Sequence, residues 1–262
     1  MLFQRLALAL ALLCFIVSPV YSAKRSINIA ILSDAKLERS SIDSDALKRE
    51  ISSLLEREFE LSFDERYRYG GNWDAAKIKV LSDQALNDKS IDLIIAMGAI
   101  NANYFANQNL NKPVVAPFII DPELQGVKML DGRSGVKNFT YITQGSRPTE
   151  FIGKLQKITH FSKTAVLVEA AVINSIPNLQ SLLDRVQDLG MQMELVPAGD
   201  SGLSALAAVD GGQYDSVLLA PLPRLSLAEI KVIADGLIQR KLPSFTINGR
   251  AEVEQGLLAG YA

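Results

Sequence analysis

The sequence is poor in the residues that most often carry metal and redox chemistry. Among 262 residues there is one cysteine, Cys14, one histidine, His160, and one tryptophan, Trp73. A single cysteine excludes an intrachain disulfide framework. One His with one Cys excludes a His/Cys metal cluster. A Ser–His–Asp triad has only His160 to draw on, and no nucleophile–base set stands out around it. His160 closes a helical pattern before Phe161, a place where a helix C-terminus favours a cation, so it reads as structural. Trp73 reads as a packing anchor. An excess of one charge is lacking too. The 27 basic and 29 acidic residues give a net charge of −2, which is no footprint for nucleic acid. G-x-G-x-x-G and the phosphate-loop motif are both absent, and Gly70-Gly71 follows the second predicted strand rather than the first. The expectation is a protein that is not an enzyme, with no cofactor, no metal and no nucleic-acid partner.

There is one long hydrophobic run, and it is at the N-terminus. Arg5 gives a short positive region, residues 6–17 are continuously apolar, Pro19 breaks the helix, and Val20-Tyr21-Ser22 puts small residues before a cut at Ala23. Residues 1–22 therefore read as a secretory signal peptide, which implies a periplasmic address. The alternative is a membrane anchor, for which the run is short against the roughly 20 residues of a span. Leu13 before Cys14 is too large for a lipidation site. Cleavage leaves a thiol-free chain, which suits an oxidising compartment.

The rest of the chain alternates strand and helix. Strands are predicted at 26–33, 60–66, 91–97, 113–119 and 138–142, with helices at 41–59, 72–87 and 100–107 between them. Residues 121–135 are Gly-rich and irregular. The alternation then restarts, with helices at 149–159, 176–189, 201–209 and 227–240, and strands at 164–168, 191–196, 216–220 and 244–247. Apolar strands alternating with amphipathic helices mean parallel sheets covered on both faces. The restart divides the chain into two Rossmann-like α/β lobes, residues 23–144 and 145–262. Ligands of such sheets bind beyond the carboxyl ends of the strands, so two facing lobes make a cleft. Asn138-Phe139-Thr140 matches a glycosylation sequon and reads as structural.

An ordered set of segments carries a family resemblance: Tyr69-Gly70-Gly71-Asn72, then Ile91-Asp92-Leu93-Ile94-Ile95-Ala96, Lys112-Pro113-Val114-Val115, Asp121-Pro122 and Gly135-Val136-Lys137-Asn138-Phe139-Thr140. Asn174-Ser175, Pro243-Ser244-Phe245 and Val253-Glu254-Gln255-Gly256-Leu257-Leu258-Ala259 follow. This order resembles the substrate-binding proteins of ABC transporters of the tryptophan/aromatic-amino-acid type. The resemblance implies a type I periplasmic-binding-protein fold that closes on a small molecule, an amino acid or small carboxylate. It also implies an ABC permease in the inner membrane as partner. The family fold crosses back to the first lobe after the Gly-Leu-Leu-Ala-Gly segment, so the expected architecture here is short of that last crossover. The other function in view is a ligand-sensing or accessory periplasmic domain serving a membrane partner, with or without a ligand.

In that architecture certain residues face the cleft. Ser33 and Asp34 end the first strand, where Ser33 suits a carboxylate and Asp34 an ammonium; capping a helix or turn is the alternative. Gly98, Ala99 and Asn101 lead into a helix whose free N–H groups suit a carboxylate. A tight strand–helix turn is the alternative there. Phe118 and Tyr141 offer aromatic faces, or belong to lobe core. Glu169, Asn174 and Ser175 follow the first strand of the second lobe. Either they bind ligand, or Asn174 and Ser175 cap a helix starting near Ile176. Arg224, which can clamp a carboxylate, and Asn248 complete the set.

Overall fold

The computed structural model describes residues 24–122, 125–127, 129–143, 148–177, 179–187 and 190–260. The expected signal segment, Cys14 and the lobe boundary at 144/145 lie outside them.

Strand β1 (Arg25–Ser33) is the spine of the first sheet, exposed at its start and buried from Ile29 onward. Helix α1 (Leu37–Leu55) follows. Instead of one strand at 60–66 there are two, β2 (Phe59–Ser62) and β3 (Arg68–Gly70). They are parted by a 3-10 turn at Glu65–Tyr67, whose N-cap Asp64 accepts a bond from the N–H of Arg66. That local capping bond competes with the strand ladder and breaks it. Next come α2 (Ala75–Asn87), β4 (Leu93–Met97), α3 (Ala99–Ala106) and β5 (Val114–Ile119).

The stretch expected to be irregular holds a hairpin, β6 (Met129–Leu130) with β7 (Arg133–Ser134). Its two central residues, Asp131 and Gly132, have φ of 49° and 74°, the left-handed pair that a tight hairpin of this hand requires. Strand β8 (Phe139–Thr143) closes the lobe. Asn138, with φ 60°, donates its side-chain amide to Leu110 O at 2.9 Å, which gives the sequon residue a structural role. The sheet order is β2-β1-β4-β5-β8, with β3 also paired to β1, and every pairing is parallel.

The second half begins with α4 (Pro148–Leu155) and β9 (Lys163–Glu169). Of the single helix expected at 176–189, α6 (Leu179–Asp184) forms, and a short helix that the sequence did not announce, α5 (Ala170–Ser175), precedes it. Pro177 delays the start of α6. A residue before proline avoids the helical region, and Ile176 is extended at φ −111°, ψ 103°. Then follow β10 (Gln192–Ala198), α7 (Gly202–Asp210), β11 (Ser216–Leu219), α8 (Leu227–Gln239), β12 (Ser244–Thr246), α9 (Arg250–Val253) and β13 (Ala259–Gly260). They build a second parallel sheet, ordered β10-β9-β11-β12-β13.

Each lobe has its own core. In the first it runs from Ala30 and Leu32 through Phe105 to Phe139; in the second, from Ala165 and Leu167 through Ile233 to Leu257. Full burial of one such Leu or Phe is worth about 1.5–3 kcal/mol. A further cluster belongs to both lobes. Ile78, Ala99 and Ile100 join Val172, Ile176 and Phe245, with Trp73, Phe118 and Ile120 packed against them.

Candidate functional site

The two sheets meet through their carboxyl-end elements. Helix α3 follows β4, α5 follows β9, and the two pack together. Asn103 Nδ2 of α3 donates to Ser175 O of α5 at 2.8 Å. Nearby, Arg185 Nη1 lies 2.8 Å from Asp121 Oδ2. The first bond leaves Asn103 Oδ1 and Ser175 Oγ buried without a partner among the described residues. Sequence reading missed Asn103, Arg185 and Asp121 as contacts between the lobes. The only available hint was Asp121-Pro122, read as a family segment.

On the first lobe, Asp34 is 1% exposed. Its Oδ2 accepts from Ile100 N at 2.8 Å, and its Oδ1 from Asn101 N at 2.9 Å and Asn101 Nδ2 at 2.7 Å. The free N–H groups expected to receive a ligand carboxylate therefore receive the chain's own. This corrects two expectations together. Asp34 is turned inward to cap α3 and not outward to an ammonium, and the Gly98–Asn101 turn is already filled. Gly98 allows this approach: it has φ +118°, and a Cβ there would lie 2.3 Å from Asp34 Oδ2. Asn101 is equally buried and accepts from Ser82 Oγ at 3.2 Å. Ala99 is buried, and its carbonyl accepts from Gln125 Nε2 at 3.4 Å. Burial pushes the Asp34 pKa up to about 6, against the pull of the three N–H donors.

Ser33 is buried, and its Oγ accepts from Ala35 N at 3.1 Å, a turn role. Asn72 and Trp73, at φ 56° and 57°, bring the β3–α2 loop across this point. Trp73 N donates to Asp34 O at 2.6 Å. Two successive left-handed non-glycine residues are strained, and such strain gathers at functional sites. Phe118 is half-buried against the cluster shared by the lobes. Tyr141 instead packs on the first lobe's core, 6.0 Å from the Phe139 ring, and its buried OH has no partner among the described residues.

On the second lobe, Glu169 ends β9 and is 2% exposed. Arg224 Nε donates to Glu169 Oε2 at 3.0 Å, and Arg224 Nη2 lies 2.7 Å from Oε1. Asn174 and Ser175 end α5 instead of capping a helix at Ile176; Asn174 is exposed and Ser175 half-buried. Asn248 is exposed, and its Nδ2 donates to Glu252 Oε1 at 2.8 Å. Glu252, which the sequence reading passed over, is buried and also accepts from Thr246 Oγ1. His160 is exposed. Among the described residues no group of three or more His, Cys, Asp or Glu could hold a metal ion. Among those residues, too, no helix is long and apolar enough to cross a membrane.

No family model matches the sequence, and no curated protein matches it. Solved structures do resemble the fold. An ABC domain from Streptococcus pneumonia in complex with L-Trp is 17% identical with a TM-score of 0.64, over 88% of this chain and 77% of that one. A leucine binding protein from Thermotoga maritima is 13% identical with a TM-score of 0.57, over 88% and 66%. A carbohydrate transporter from Acidothermus cellulolyticus in complex with myo-inositol is 17% identical with a TM-score of 0.53, over 89% and 80%. The likeness at these identities is one of architecture: two parallel α/β lobes in the type I periplasmic-binding-protein fold.

Proposed function

We propose that this chain is the solute-binding component of an ABC importer, a non-enzymatic protein exported by residues 1–22 to the periplasm. It takes up one small molecule, an amino acid or small carboxylate, between a lobe of residues 23–144 and a lobe of residues 145–262. It then passes the molecule to an inner-membrane permease. The observation that carries this reading is the meeting of the two sheets at their carboxyl ends, through α3 and α5. Parallel α/β sheets bind ligands at that end. Ser33, Phe118, Glu169, Asn174, Ser175, Arg224 and Asn248 stand at or near it. Binding works by population shift: the solute stabilises the closed pair of lobes because it touches both.

The test is thermal unfolding of the purified chain against amino acids, small carboxylates and polyols. A ligand at 100 times its dissociation constant adds about 2.7 kcal/mol of stability, and a shift with one compound supports the reading. A second reading is an accessory or sensory periplasmic domain without a ligand. It is favoured by the direct contact of the lobes, Ile100 and Asn103 against Val172 and Ser175. Absence of any shift in the folded chain, with a membrane protein recovered on it by crosslinking, would decide for that role.

A further inference from the structure

We infer that the β6–β7 hairpin of the first lobe is a membrane-surface finger, an apolar tip with basic flanks that docks on anionic phospholipid headgroups. The inference goes beyond the solute-binding reading and does not depend on what the cleft holds.

The hairpin lies at the pole of its lobe away from the meeting of the two sheets. The segment before it runs back along α3. Asn107, at the end of that helix, donates Nδ2 to Gln125 O at 3.1 Å, and a Cβ on Gly126 would lie 3.0 Å from Asn107 Oδ1. After the hairpin, Phe139 opens β8 at the amino end of the sheet, beside Val114 at the start of β5. A contact made by the hairpin therefore leaves the carboxyl-end cleft free.

Met129 pairs with Ser134, and Leu130 with Arg133. Successive residues of a strand point to opposite faces. Met129 and Leu130 thus stand on opposite faces, and both are exposed, at 57% and 63%. A hairpin laid on its lobe would bury one of them. Single apolar residues on a surface are ordinary, but an adjacent pair that leaves both faces of a projecting hairpin apolar is not of that kind. A groove in a protein partner covers one face of a hairpin. The fluid boundary between headgroups and acyl chains covers both.

Charge selects the anionic kind of surface. Residues 128–137 hold Lys128, Arg133 and Lys137 against Asp131, three bases against one acid, a local charge of +2 in a chain of net −2. Arg133 and Lys137 are exposed and form no ion pair among the described residues. The loops before β4 and β5 at the same pole are balanced, Asp88 and Asp92 against Lys89 and Lys112. Arg133 lies across the strands from Leu130, so its guanidinium can stay among phosphates while the apolar tip enters the boundary. Asp131, exposed at the turn, opposes the contact. Two apolar side chains and a few bases make a weak, reversible contact and not an anchor.

Tryptophan fluorescence of Leu130→Trp in the full chain reads this locally, with the wild type and its one tryptophan, Trp73, as baseline. Vesicles of phosphatidylcholine with phosphatidylglycerol should shift the added emission to the blue, and brominated acyl chains should quench it. Vesicles of phosphatidylcholine alone should do neither. Co-sedimentation then gives affinities, with circular dichroism to show that each variant is folded. Arg133→Gln and Lys137→Gln should each weaken binding about fivefold, and raised salt should weaken it further. Asp131→Asn, which keeps a turn-forming residue, should tighten it. Met129→Ser combined with Leu130→Ser should weaken it about tenfold or more. No blue shift on anionic vesicles, or equal binding to both kinds of vesicle, would overturn the inference. So would affinity unchanged in the double serine variant, which would place the contact elsewhere in the chain, residues 1–22 included. Crosslinking from the hairpin to a membrane protein, with no signal from vesicles, would also overturn it and make the finger a protein contact.

Discussion

Asp34 sits in the interior with no cation beside it among the described residues, held by three N–H donors. Burial outweighs those donors and raises its pKa from 3.8 to about 6. A carboxyl group whose folded pKa is raised takes up a proton on folding between those two values. Its ionisation therefore costs stability as pH rises through that window, roughly 3 kcal/mol in all. Urea unfolding of the wild type and Asp34→Asn, compared at pH 7 and pH 4, should show the wild type gaining by that order relative to the variant as pH falls. A wild type that loses ground would mean a lowered pKa. Gly98→Ala should destabilise by roughly 2 kcal/mol or more, from its positive φ and the collision with Asp34, read by the same unfolding curves. The sequence marked both residues by their places at strand ends. It could not show that they adjoin, because the strands they follow are far apart in the chain.

Helices and strands were largely legible because parallel sheets write continuous apolar runs, as in Ile29–Leu32 and Ala165–Val168, and amphipathic helices write their own period. The errors came from local chemistry that periodicity does not register. Pro177 keeps Ile176 out of the helical region, so α6 begins at Leu179, and a separate short α5 lies before it. Asp64 caps a turn inside an apparent strand. Asp131-Gly132 makes a hairpin where a Gly-rich stretch reads as loop. Capping also yields a prediction. Ser201 accepts from Ser204 N and closes a reciprocal box at the start of α7, so Ser201→Ala should cost about 1 kcal/mol in chemical denaturation.

At the scale of the molecule, the lobes are joined by the Ile78–Ile100–Val172–Ile176 cluster, the Asn103–Ser175 bond and the Asp121–Arg185 pair. Arg185 is 41% exposed at its side chain, so that pair contributes little and is screened by salt. The buried contacts carry the closure. Ile100→Ala should enlarge the radius of gyration in small-angle scattering of the ligand-free chain, whereas Arg185→Ala should leave it nearly unchanged. The two-lobe plan was readable from the restart of the alternation. The filling of the α3 N-terminus by Asp34 was not. Native mass spectrometry of the purified chain, titrated with carboxylates, amino acids and polyols, tests the central claim most directly. The account predicts saturable addition of one solute mass per chain, lost in Arg224→Gln. No adduct from any class, in a chain shown to be folded, would contradict it.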